Sequence, residues 1–152
     1  MSKENLTGFE WHKKEAIENF NSTWDLIDKE HRTHDETIDM LHRAHASRYH
    51  WGQIGTALEW LRGEWQISRV YSLAGMAESA ILHGKESLKL CRENDIGDFD
   101  LAFAYEAIAR AYNLIKDTEN VEHYLKKAHE AAVSIEKPED REYLISELQT
   151  IK

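Results

Sequence analysis

The chain has one cysteine, one proline and seven glycines in 152 residues. A lone Cys91 cannot close an intrachain disulfide, which fits a reducing compartment. Little proline or glycine means little punctuation, and charged residues alternate with apolar ones at three- and four-residue intervals, a helical composition. No long uncharged apolar run is available to span a bilayer. The opening MSKENLTGFE also lacks the apolar centre of a secretory leader, so cytoplasmic residence without a membrane partner is the expectation. Positive charge is in deficit. Nineteen Lys and Arg against 28 Asp and Glu leave a formal charge of −9, a field that repels nucleic acid and anionic lipid. Serine elbows, glycine-rich phosphate loops and dinucleotide fingerprints are missing, so no catalytic residue is assigned and an enzyme is the less favoured class.

What is present is length enough for one buried domain, 41% hydrophobic residues, and an internal repeat. Ile67 and Ile108, Arg69 and Arg110, Tyr71 and Tyr112, Leu73 and Leu114, Glu78 and Glu119, and Lys85 and Lys126 are identical pairs at one offset, 112 − 71 = 41. A hairpin of this size cannot enclose its own apolar face, so it is expected to stack on its copy and leave a concave side.

Apolar spacing and turn residues predict seven helices. The first covers about 9–28, with Ile17, Phe20, Trp24 and Ile27 on one face that should be buried. The second covers about 34–50, with Ile38, Leu41, His45 and Tyr49 on one side. Gly52 and Gly55 then loosen the chain before a third helix at 56–73, and Gly75 permits a tight turn into a fourth at 77–93. Asp98 is the expected N-cap of a fifth helix at 99–115, and a sixth follows at 119–135. Pro138 suits the first turn of a seventh, 138–150, whose Tyr143, Leu144, Leu148 and Ile151 should cap the stack. The expected architecture is a single all-α domain, 1–152. A divergent N-terminal hairpin (9–50), two repeated hairpins (56–93 and 99–135) and a capping helix (138–150) make it up.

The repeated part resembles the tetratricopeptide repeat. Tyr105, Ile108, Ala109 and Tyr112 follow that family's large, large, small, large series, with Val121, Leu125 and Ala128 at the packing positions of the second helix. Ile67, Ser68, Tyr71, Gly75, Ala80, Gly84 and Ser87 run in parallel in the first copy, where Ser68, Gly84 and Ser87 should let backbones approach closely. The period is longer than the family's roughly 34 residues, and Glu64 stands where the family places a large aromatic. The resemblance implies a short right-handed solenoid of stacked hairpins, a noncatalytic module that binds a protein or peptide in its groove or pairs with a second copy as a homodimer. Carried over by position, the groove would present Arg62, Trp65, Arg69, Leu73, Phe103, Glu106, Arg110, Asn113 and Leu114. Two readings stay open for the equivalent Arg69 and Arg110: holding a partner's carboxylate or phosphate, or pairing internally with Glu64, Glu106 or another acidic neighbour.

Other residues suggest chemistry. Asp35, Asp39, His42 and His45 recur at helical spacing and could hold a divalent transition metal with help from His12 or Glu15. That would make a metal-binding protein or metal-dependent enzyme the alternative, against a plain solvated face. Trp51, Trp60 and Trp65, with Trp11 and Trp24, are read as hairpin core in preference to a ligand pocket. The stretch Asn94–Asp100 fails as a calcium loop, because placing Gly97 at the sixth position puts Arg92 at the first.

Overall fold

The computed structural model describes residues 5–152, and those residues form seven α-helices and no strand. They are α1 (Gly8–Ile27), α2 (His34–Ile54), α3 (Ala57–Leu73), α4 (Ala77–Glu93), α5 (Asp98–Leu114), α6 (Thr118–Ala132) and α7 (Pro138–Leu148). Threonines start the first two. Thr7 Oγ1 accepts from the Glu10 N–H, and Thr33 with Glu36 forms a reciprocal capping box, satisfying amides that have no partner within the helix.

The helices pack as successive antiparallel hairpins, α1 with α2, α3 with α4 and α5 with α6. Each odd-numbered helix also packs backbone-close on the next odd-numbered one, whereas α2 and α4 meet only through side chains, His45 against His83. Two layers result, and the closer-set layer of α1, α3, α5 and α7 is the inner side of a helical-hairpin solenoid. α7 packs on α5 and α6 where a further hairpin would begin, with Leu144 and Leu148 buried, and so closes the end of the stack.

The offset of 41 holds at atomic detail. α3 ends with Met76 N–H donating to the Tyr71 carbonyl and Gly75 N–H to Ser72; α5 ends with Asp117 N–H on Tyr112 and Lys116 N–H on Asn113. These are the same paired C-terminal hydrogen bonds, each built around one left-handed residue. That residue is Gly75 at φ 75° in the first copy and Lys116 at φ 56° in the second. The Tyr71 ring stacks on His83 at 5.7 Å and 11°, and Tyr112 stacks on Tyr124 at 5.8 Å and 11°, His83 and Tyr124 being themselves 41 residues apart.

Close approach of the layers rests on small residues. Ser68 Oγ donates to the Ala80 carbonyl at 2.7 Å and Ser87 Oγ to Leu61 at 2.9 Å. A β-carbon on Gly84 would lie 3.0 Å from Ile108 Cγ1 and 3.2 Å from Ser68 Oγ. Across this contact α5 is buried continuously from Ala102 to Ala109.

Four details differ from the sequence expectation. α2 does not stop near His50 but runs through Gly52 to Ile54, with Gly55 at its C-cap and the Trp60 indole N–H bonded to the Trp51 carbonyl at 2.9 Å. On α2 the buried face is Met40, Ala44 and Ser47, whereas Ile38 and Tyr49 are exposed. On α1 only Ala16 and Thr23 are fully buried; Ile17 is exposed and Phe20 and Trp24 are half-buried, because α1 has one hairpin mate and turns its aromatic edge to the groove. Gly97, not Asp98, takes the cap of α5. Asp98 becomes the first helical residue at φ 56°, and its carboxylate accepts the N–H groups of Phe99 and Glu136, tying the start of α5 to the connection before α7.

The Gly84 contact predicts that Gly84→Val, which overfills the space between Ile108 and Ser68, costs roughly 2 kcal/mol. Thermal melting followed by circular dichroism should then show Tm lowered by about 4–8 °C.

Candidate functional site

The inner helix layer carries a cavity of about 430 Å³. Its floor comes from α3 (Leu61, Arg62, Trp65) and α5 (Phe99, Asp100, Phe103), with Ser87 of α4 below; α1 supplies Phe20 and Trp24 on one side and α7 supplies Asp140 and Tyr143 on the other. The aromatic rings form a connected set. Trp24 stacks on Trp65 at 5.7 Å, Trp65 meets Phe103 edge-to-face at 5.8 Å, and Phe103 touches Phe99 at 4.5 Å and Tyr143 at 5.4 Å. At the rim the Arg62 guanidinium donates twice to Asp100, Nε to Oδ1 at 2.9 Å and Nη2 to Oδ2 at 3.1 Å, a fork that holds both side chains flat against the opening.

The nine groove residues expected from the sequence fall into three groups. Arg62, Trp65 and Phe103 line the cavity. Arg69, Glu106, Arg110 and Asn113 hold the C-terminal segment instead. Arg110 Nε donates to Glu106 Oε2 at 2.7 Å, and its Nη2 donates to the Glu147 carbonyl at 3.0 Å and Thr150 Oγ1 at 2.8 Å. The Glu147 carboxylate sits 3.2 Å from Arg69 and 3.5 Å from Arg110, bridging the two equivalent guanidiniums, while Asn113 Nδ2 donates to the Lys152 main-chain oxygen at 2.8 Å. The internal-pairing reading of the arginines is therefore the observed one. Leu73 and Leu114 are both 39% exposed at the far ends of their helices and do not line the cavity.

The second-helix ligand set does not converge. Asp39 is paired with Arg43 at 2.7 Å, Asp35 and His42 are exposed, and His45 turns inward to share a 2.8 Å hydrogen bond between its Nε2 and the Tyr71 hydroxyl. Among the described residues no group of three or more histidine, cysteine, aspartate or glutamate side chains is placed to hold a metal ion. One helical turn of spacing puts four groups on a face, but here neighbouring α3 and α4 claim His45, and a same-helix arginine claims Asp39.

His45 belongs to a polar knot on the outer side of α3. Buried Glu64 accepts from Arg48 Nε at 3.1 Å and from His83 Nδ1 at 2.9 Å, and the His83 ring lies 5.4 Å from His45. The position 41 residues after Glu64 is Tyr105, which packs near Tyr124 and takes a hydrogen bond from Arg92. The first copy thus replaces an aromatic contact with an ionic one. Burial, then the nearby His83, hold the His45 pKa below its ordinary value, and burial followed by His12, 2.9 Å away Nδ1 to Nδ1, does the same for His50. Cys91 is inert filler: burial pushes its thiol up to about 12.

The repeat offset could not reveal Phe20, Trp24, Asp140 and Tyr143, because they lie in helices outside the duplication. Phe20 and Trp24 did share a recognisable helical stripe. The core reading of the tryptophans is corrected at Trp24 and Trp65, which line the cavity.

Two outcomes follow from these contacts. Glu147→Gln removes the charge between two largely buried guanidiniums and should destabilise the chain by roughly 2 kcal/mol, whereas Asp39→Asn at the exposed Arg43 pair should cost about 0.5 kcal/mol or less in urea unfolding. Because His45 and His50 bind protons less readily when folded, the unfolded chain takes up more protons as pH falls through about 6.5. The urea midpoint should therefore drop between pH 7.5 and 5.5, and His45→Gln should flatten that drop. No protein-family model matches the chain, and no curated protein or solved structure matches it either.

Proposed function

We propose that the chain is a noncatalytic interaction module of tetratricopeptide-like type that takes a protein or peptide segment into the aromatic cavity on its inner helix layer. The observation that carries this reading is the cavity itself: about 430 Å³, lined by five helices, rich in tryptophan, phenylalanine and tyrosine, and placed on the layer that stacked hairpins turn toward a partner. Aromatic anchors of this kind dominate the energetics of protein recognition. The gathered groups supply no nucleophile with an adjacent base, which supports binding over turnover. The charge of −9 disfavours nucleic acid as the occupant, and no described helix is long and apolar enough to cross a membrane. A reducing, cytoplasmic setting is supported by the single unpaired thiol.

The test is site-directed photo-crosslinking. A photoreactive phenylalanine at position 143, on the cavity rim, should trap a protein partner in the native cell, while the same group at 133, which is 78% exposed and outside the lining, should not. The double variant Arg62→Ala with Tyr143→Ala, both exposed positions, should keep its helicity and lose the trapped partner's affinity by about tenfold. Undiminished capture by the double variant would place the binding face elsewhere.

A further inference from the structure

We infer that the cavity's occupant is a basic side chain, lysine or arginine, projecting from the partner peptide. This deepens the groove reading above and rests on it. The argument is one of charge. In the ionic network beside the cavity, Arg69 and Arg110 are matched by Glu106 and Glu147. On the lining itself Arg62 is matched by Asp100 in a two-pronged pair. Asp140 is then the one lining residue with a full charge and no ion-pair or hydrogen-bond partner for its carboxylate among the described residues. A cavity holding an unmatched carboxylate favours a cation over a neutral or acidic group.

The walls agree with this. Trp24, Phe103 and Tyr143 present ring systems with no cation over them among the described residues, while Trp65, stacked beside Trp24, already accepts the Arg69 guanidinium 5.6 Å from its ring centroid. Ring faces carry negative potential, so the surfaces that would bury an alkyl stem also attract its charged head. Lysine and arginine both offer an apolar stem long enough to cross the aromatic walls and a cation to set against Asp140. The long-range field of a chain at −9 draws such a segment in.

The experiment uses capped Gly-Gly-Xaa-Gly-Gly peptides with lysine, arginine, norleucine or glutamate at Xaa, titrated at low salt into the full chain. Binding is read from the indole N–H signals of the five tryptophans in nitrogen-15 NMR, assigned by single Trp→Phe variants. The lysine or arginine peptide should saturably shift the Trp24 and Trp65 signals, leave Trp11 unmoved, and bind about fivefold more tightly than norleucine. Asp140→Asn should remove most of that advantage, whereas Glu142→Gln, two residues on and outside the lining, should keep it. Tyr143→Leu, which retains apolar bulk without a ring, should weaken the basic peptides and spare norleucine. Norleucine or glutamate binding as tightly as lysine and arginine, an unchanged Asp140→Asn, or no saturable shift of Trp24 and Trp65 would each overturn the assignment. If position 143 still traps a partner in that event, the groove reading stands and only the basic occupant is lost.

Discussion

The burial of α5 is the constraint on which the rest of the molecule depends. From Ala102 to Ala109 every residue of this helix is out of water, so it needs neighbours on all sides: α3 and α4 from one hairpin, α6 from its own, and α7 from the C-terminal segment. Alanines at 102, 104, 107, 109 and 111 keep α5 slender, and the bulk is supplied from across the contact by Leu61, Leu88, Ile135, Leu144 and Leu148. A helix buried on every side is stable only inside such a surround. The two-hairpin stack therefore stands as a unit, each hairpin covering surface that the other would leave exposed.

That same helix places Glu106 where no water reaches it. An ionised carboxylate there is costly unless it is paired, and Arg110, one turn along, pairs it. Arg110 in turn reaches the Glu147 carbonyl and Thr150, and Glu147 reaches back to Arg69 of α3. One chain of contacts thus runs from the centre of α5 to α7 and sets the height at which α7 sits. Asp140 and Tyr143 lie seven and four residues before Glu147 on that helix, hence on the same side of it, so the network that docks α7 also aims these two at the cavity. The arginines that looked like ligand contacts act one step removed, as the frame of the site.

The features legible in the sequence are those set by local repetition. The offset of 41 pointed to the stacked hairpins, the matched environments of Tyr71 and Tyr112 and the close approach at Ser68, Gly84 and Ser87, and Gly75 marked its own tight turn; that Lys116 takes the same left-handed conformation was not legible, since nothing in a lysine favours it. Less legible were features decided between distant segments. Asp100 is 38 residues from Arg62, and Glu147 is 78 from Arg69; no periodicity connects either pair. The half-burial of Trp24 depends on α1 having a single hairpin mate, and the inward turn of His45 depends on Tyr71 and His83 arriving from two other helices. Helical spacing alone could not separate a ligand face from a packing face at Asp39, His42 and His45, since both use the same three- and four-residue steps.

The two copies diverge where the cavity is. Ile67 and Ile108 or Tyr71 and Tyr112 hold layers and turns together and are identical. Leu58 and Phe99, Arg62 and Phe103, Trp65 and Glu106 are equally spaced by 41, face the inner layer, and differ in size or charge. A pair of identical copies would have produced two equivalent shallow sites. Instead Trp65 of the first copy meets Phe103 of the second at a non-equivalent position, edge to face, and Arg62 of the first takes its carboxylate from Asp100 of the second. The substitutions convert a symmetric stack into one asymmetric pocket that only both hairpins together can build, with α1 and α7 as its walls. Where repetition persists on the inner side, at Arg69 and Arg110, it serves the docking of α7; where it has broken down, the chain has an opening lined by aromatic rings.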